Sequence, residues 1–137
     1  MYRYARTRAE AAAKLAAALK AVQENIPLPS ERQAVGDYLT GWLDTTVRPS
    51  VRPMTYVSYE SIVRRHLVPE LGRIHLARLT PADVQAMMNR KLVQGLSAGR
   101  VDYLRAVLRL ALNDALRWGL IGRNVAALVR PPRGASL

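Results

Sequence analysis

The residues of this chain best suited to chemistry are arginines and the polar residues that open helices. Val51-Arg-Pro-Met-Thr55 leads into one helical segment, and Leu96-Ser-Ala-Gly-Arg100 leads into another. Each start offers free backbone N–H groups at the positive end of a helix dipole, with an arginine beside it, and that combination suits phosphate. Along the first of these helices Thr55, Ser58, Ser61 and Arg65 share the side away from its apolar stripe. Small polar residues with an arginine permit close approach to a nucleic-acid groove. An ordinary solvated face has the same composition, and the spacing alone does not separate the two readings.

Other chemistry finds little support. There is no Gly-rich phosphate loop, no Gly-x-Ser-x-Gly elbow and no zinc-ligand spacing. The ten carboxylates are scattered, and several stand at helical spacing from an arginine, as Asp102 does from Arg105 and Asp114 from Arg117. Such pairs read as surface ion pairs rather than acid–base catalysts. With no cysteine, and only His66 and His75 as imidazoles, a thiolate or histidine-rich metal site is excluded. The expectation is therefore no catalytic residue, no metal, no cofactor and no small-molecule substrate. His66 falls on an inward helical face and reads as a buried, hydrogen-bonded histidine; Trp42 and Trp118 read as core.

The 137 residues carry 21 Lys+Arg against 10 Asp+Glu, a net charge of +11, and 18 of the basic residues are arginine. The planar guanidinium fork matches phosphate, so the excess points to nucleic acid; an arginine- and alanine-rich genome would give the same excess. The charge is uneven: residues 90–133 hold nine basic and two acidic residues, and residues 1–34 hold six and three. A composition 50% apolar and 23% charged excludes a disordered basic tail. The length suits one compact domain, or a small domain with an appendage. No apolar run approaches the roughly 20 residues that span a bilayer, and the start has no signal-peptide pattern. A cytoplasmic protein is expected.

These residues are positioned by a helical framework. Thr7 and Glu10 are spaced as a capping box ahead of an alanine-rich helix, and Pro27 and Pro29 mark a linker behind it. Four further helices follow. The first runs from about Val35 to Asp44 with Val35, Tyr38, Leu39, Trp42 and Leu43 on one face. The second, capped by Thr55, runs to about Leu67 with Tyr59, Ile62, Val63, His66 and Leu67 inward, and Pro69 and Gly72 end it. The third starts at Thr80-Pro81 with Asp83 three residues after the cap, and buries Val84, Met87, Met88 and Leu92 before Gly95. The fourth, capped by Ser97, carries Val101, Leu104, Leu108, Ala111, Leu112 and Ala115 inward and Arg105, Arg109, Asn113 and Arg117 in a row outside. Gly119 ends it, and Pro131-Pro132-Arg-Gly reads as an outgoing linker. The boundaries are residues 1–24 for the N-terminal helix, 25–34 for the linker, 35–130 for the main domain and 131–137 for the outgoing linker.

In this order the signals resemble the core-binding domain of tyrosine recombinases, the phage-integrase family. The residues that carry the resemblance are Val35-Gly-Asp-Tyr-Leu-x-x-Trp-Leu43, Arg52-Pro-Met-Thr-Tyr-x-x-Tyr59, Arg65-His-Leu-Val-Pro-Glu-Leu-Gly72, Leu79-Thr-Pro-Ala-Asp-Val-Gln85, Gly95-Leu-Ser97 and the run from Ala111 to Asn124. The resemblance implies an all-α, SAM-like four-helix bundle, here preceded by one extra helix similar to the end of an arm-binding domain. It implies one half of a clamp on double-stranded DNA, with other integrase protomers as partners in the full-length protein. Carried over, it implicates Thr55, Ser58, Arg65, Ser97 and Arg100 in DNA binding; Arg52, Lys91 and Arg105 are further candidates for the same role. Many relatives place a lysine or arginine where this chain has Met54, and Arg52 is the substitute at hand.

The family's catalytic residues belong to a following domain, expected beyond Leu137. His75-Leu-Ala-Arg78 spells the family's His-x-x-Arg signature, but it falls ahead of the third helix, inside the core-binding match, so it is not catalytic. The function expected is a non-enzymatic DNA-binding module at a recombination core site. The alternative is a regulatory or protein-interaction bundle derived from a truncated integrase. A helix-turn-helix regulator fits less well, because no tight pair with a short glycine turn is present.

Overall fold

The computed structural model describes residues 33–134. The expected N-terminal helix, and its linker as far as residue 32, lie outside them. Among the described residues there is no strand beyond an isolated antiparallel bridge between Ala34 and His75. The remainder is a four-helix bundle on a single core.

Helix α1 comprises Val35–Trp42 and continues as a wider π turn over Leu43–Val47, three residues past the expected end. The wider turn keeps the stripe facing inward: Val35, Tyr38, Leu39, Trp42, Leu43 and Val47 are all buried. Helix α2 comprises Pro53–Ile62, a π turn over Val63–Leu67 and a final α turn at Val68–Leu71. Two expectations fail here. Thr55 does not cap the helix, because Pro53 starts it with Arg52 as the N-cap residue; proline has its φ preset for the first helical position. Pro69 does not end it either. The chain widens to a π turn just upstream, so that Pro69 enters the resumed α turn at a position where no N–H is required.

Helix α3, Pro81–Val93, opens with the expected Thr80 cap, which Asp83 closes into a capping box: Asp83 N–H donates to Thr80 Oγ1 at 3.1 Å, and Thr80 N–H donates to Asp83 Oδ2 at 3.0 Å. Its inward stripe is Val84, Met87, Met88 and then Lys91, which is 6% exposed, whereas Leu92 is 38% exposed. Leu92 was the expected core residue; the helical period instead brings the aliphatic stem of Lys91 inward, where Glu70 receives its ammonium at 3.4 Å.

Helix α4, Ala98–Arg117, has Ser97 as its cap, with Ser97 Oγ accepting from Arg100 N–H at 3.1 Å. All six expected stripe residues are buried, together with Val107. Gly119 ends it in the left-handed region at φ +79. Two hydrogen bonds bolt α1 to α4: Tyr38 Oη donates to the Ala111 carbonyl at 2.6 Å, and Trp42 Nε1 donates to Asp114 Oδ2 at 2.8 Å. Burial, reinforced by the Asp114 charge, pushes the Tyr38 hydroxyl far above its ordinary pKa, so it remains a proton donor. Asn124 closes the tail. Its Oδ1 accepts from Ala126 and Ala127 N–H at the 3-10 turn Val125–Leu128, and its Nδ2 donates to the Arg109 carbonyl at 2.9 Å.

Candidate nucleic-acid interface

The polar side of α2 and the second turn of α4 meet. Ser58 Oγ and Tyr103 Oη lie 2.8 Å apart and hydrogen-bond across the two helices. Behind this link Trp42 stacks on Tyr59, with ring centroids 6.3 Å apart, and Tyr59 packs at a tilt on Tyr103 at 6.5 Å. The aromatic series runs from α1 through α2 to α4 and fixes the surface that the two helices present. Its signal in the sequence was weak: Tyr103 stands one turn after Arg100, on the flank of the apolar stripe.

On this surface Arg65 comes from α2 and Arg100 from α4, both exposed. Among the described residues neither has a carboxylate partner. The same holds for Arg52 at the head of α2. Arg65 adjoins His66 in the chain, and the charges of Arg100 and Lys91 also act on that ring. Burial first, and then the charges of Lys91, Arg100 and Arg65, hold the imidazole below its ordinary pKa of 6.5, with Glu70 opposing. His66 is half-buried as its stripe position requires, but its Nδ1 is enclosed without a hydrogen-bond partner, contrary to the expected bonded histidine. The ring is neutral near pH 7, so the positive potential here comes from the basic side chains.

Of the other expected contact residues, Thr55 is half-buried in the first turn of α2 and Ser97 is exposed at the cap of α4. Two are engaged inside the protein. Lys91 is buried against Glu70, which also accepts from Arg90 Nε at 2.7 Å. Burial disfavours the Glu70 carboxylate, but Arg90 and Lys91 outweigh this and hold its pKa below 4.5. Arg105 donates to Asp102 at 2.8 Å, and to the Ala126 and Val129 carbonyls at 3.3 and 3.4 Å, with its side chain 12% exposed. Both cations have internal partners that a phosphate would have to displace.

The expected Asp102–Arg105 and Asp114–Arg117 pairs are present, so the row Arg105, Arg109, Asn113, Arg117 is not a uniform cationic strip. Arg48 pairs with Asp44 and stacks over the Tyr56 ring at 4.4 Å, and Arg64 pairs with Glu60, on the opposite flank of α2. His75 precedes a 3-10 turn at Leu76–Arg78 and bridges to Ala34, whereas Tyr103 contacts α2.

Among the described residues no group of three His, Cys, Asp or Glu is placed to hold a metal ion. A cleft of about 880 Å³ lies between the Leu76–Arg78 turn and the 119–125 loop. Its ionisable lining residues are Arg78 and Arg123, so it offers no acid–base pair. No described helix is long and apolar enough to cross a membrane.

The family model for the phage integrase N-terminal SAM-like domain matches residues 34–92. The solution structure of the phage integrase SAM-like domain from Moorella thermoacetica is 39% identical, with a TM-score of 0.65; the match covers 79% of this chain and 92% of that one. A tyrosine recombinase XerC-like protein of Caldanaerobacter subterraneus subsp. tengcongensis is 27% identical over 122 residues, covering 88% of this chain. The match spans 31% of that relative's length. A lambda integrase dimer bound to a COC' core site aligns with a TM-score of 0.67 over 74% of this chain and 37% of that one; at 20% identity the likeness is one of fold.

Proposed function

The chain belongs to the SAM-like domain family of phage integrases, and from that premise we propose that it grips duplex DNA at a recombination core site. The observation that carries the proposal is the pair Arg65 on α2 and Arg100 on α4, exposed and without carboxylate partners among the described residues, on helices tied together by the Ser58–Tyr103 hydrogen bond. Phosphate neutralises such a cluster, and the N-termini of α2 and α4 add backbone donors beside Arg52 and Arg100. The lambda integrase of similar fold is described on core-site DNA as a dimer, which supports duplex DNA and further protomers as partners. On this reading residues 35–130 form the gripping unit. Residues 131–137 lead towards a DNA-cleaving and rejoining domain, and residues 1–24 end an arm-binding domain.

The grip positions DNA and performs no bond chemistry itself. Arg65→Glu combined with Arg100→Glu tests it. Both residues are exposed, so helical circular dichroism should be retained while binding to a labelled duplex is lost. Unchanged binding by the folded double variant overturns the proposal in favour of a protein-interaction bundle.

A further inference from the structure

The face that carries Arg65 also carries apolar surface with no place in the core. Met54 and Val57, in the first two turns of α2, are 77% and 53% exposed. Met54, Ser58, Ser61 and Arg65 follow one another at spacings of four, three and four, a single helical row, and Val57 lies three residues from Met54 and four from Ser61. The apolar pair therefore heads the row whose other end is Arg65. Arg52 stands beside it, and the one carboxylate on Pro53–Ile62, Glu60, is turned to Arg64 on the other flank.

We propose that Met54 and Val57 read the C5-methyl groups of thymines in the major groove, giving the grip a sequence preference that its arginines do not supply. This rests on the DNA-binding reading above. A major-groove edge identifies thymine by a methyl group beside a carbonyl acceptor, and apolar side chains are what recognise that methyl. The electrostatics select the occupant: a face flanked by Arg52, Arg65 and Arg100 attracts a polyanion, and the methyl is the apolar feature that B-DNA displays between its phosphates. A lysine or arginine in place of Met54 would favour guanine or phosphate, so this chain differs in base preference from a relative with a cation there.

The test uses the full chain. Duplexes are selected from a randomised library, and each thymine of the enriched sequence is replaced in turn by deoxyuridine, which removes only the methyl. At one or two positions the parent protein should lose about 4-fold in affinity per methyl, the value of one buried carbon. Met54→Ala combined with Val57→Ala should still bind duplex with the parent's salt dependence, yet bind thymine and deoxyuridine duplexes equally. Equal binding of both duplexes by the parent, or no enriched sequence despite salt-dependent binding, overturns the methyl reading and leaves the DNA grip standing. Absence of duplex binding at any salt, with self-association that the double variant abolishes, overturns both and makes the pair a protein contact.

Discussion

Single-arginine variants titrated with salt separate arginines that meet phosphate from arginines that hold the fold. Arg52, Arg65 and Arg100 are exposed without a carboxylate partner among the described residues, whereas Arg105 faces Asp102 and two carbonyls. If each of the first three meets one phosphate, each contributes about −0.9 to the slope of log K against log salt, about −2.7 together. From ~50 to ~200 mM salt those three contacts alone weaken binding about 40-fold. Removing Arg65 or Arg100 reduces that share to about 12-fold. Other arginines add to every slope equally, so the difference between variant and parent is the quantity to measure.

Fluorescence anisotropy of a short labelled duplex across a salt series provides it. Arg65→Ala and Arg100→Ala should each flatten the slope by about 0.9, and together by about 1.8. Arg105→Ala should leave the slope unchanged. It should instead lower stability by about 1–3 kcal/mol, because Asp102 and the tail carbonyls lose their donor. A flatter slope for Arg105→Ala, or an unchanged one for Arg65→Ala, refutes the division of roles.

Three further outcomes follow from the packing. Asp114→Ala strips the acceptor from the buried Trp42 indole and should cost about 1–3 kcal/mol in urea denaturation, with Asp114→Asn milder because it keeps an acceptor. Gly72→Ala should cost about 1–3 kcal/mol, since a Cβ there would run into the Val68 carbonyl at the close of α2; thermal unfolding reads it. Stability should fall with acid in two windows, both because the folded pKa lies below the unfolded value. The His66 contribution is complete above 6.5 and is lost as pH falls from there through its folded pKa, and the Glu70 contribution follows below 4.5. Glu70→Gln should remove the lower window and, because the Glu70 charge opposes the lowering of the His66 pKa, extend the upper window to lower pH, in unfolding measured against pH.

The helical framework was legible because its signals are local. Thr80 with Asp83, Ser97 with Arg100 N–H, and the α4 stripe depend on residues within a turn or two of one another. The misreadings arose where a distant partner or a backbone adjustment decided. Pro69 stops an ordinary helix but not one that has just widened to a π turn. Lys91 displaces Leu92 from the core because Glu70, twenty-one residues earlier, receives its charge. Arg105 reads from the sequence as the partner of Asp102 alone; the Ala126 and Val129 carbonyls reach it only after the tail folds back. Met54 and Val57 carry no mark in the sequence that separates exposed from buried apolar residues, so their surface emerges only from the fold.

The net charge of +11 therefore has two physical meanings. Arg48, Arg64, Arg90, Arg105 and Arg117 each face a carboxylate, so their charge is locally balanced and they tie turns and helices together. A cation so paired gives phosphate little, because binding would first break an existing contact. The field that reaches a ligand comes from the unbalanced remainder, and on the α2–α4 face that means Arg52, Arg65 and Arg100. Composition bias explains why the chain has many arginines, but it does not explain why two unbalanced ones, from helices tied together by the Ser58–Tyr103 hydrogen bond, both act on the His66 ring. Unbalanced like charges cost folding energy in the free protein, and a polyanion laid across the face recovers it.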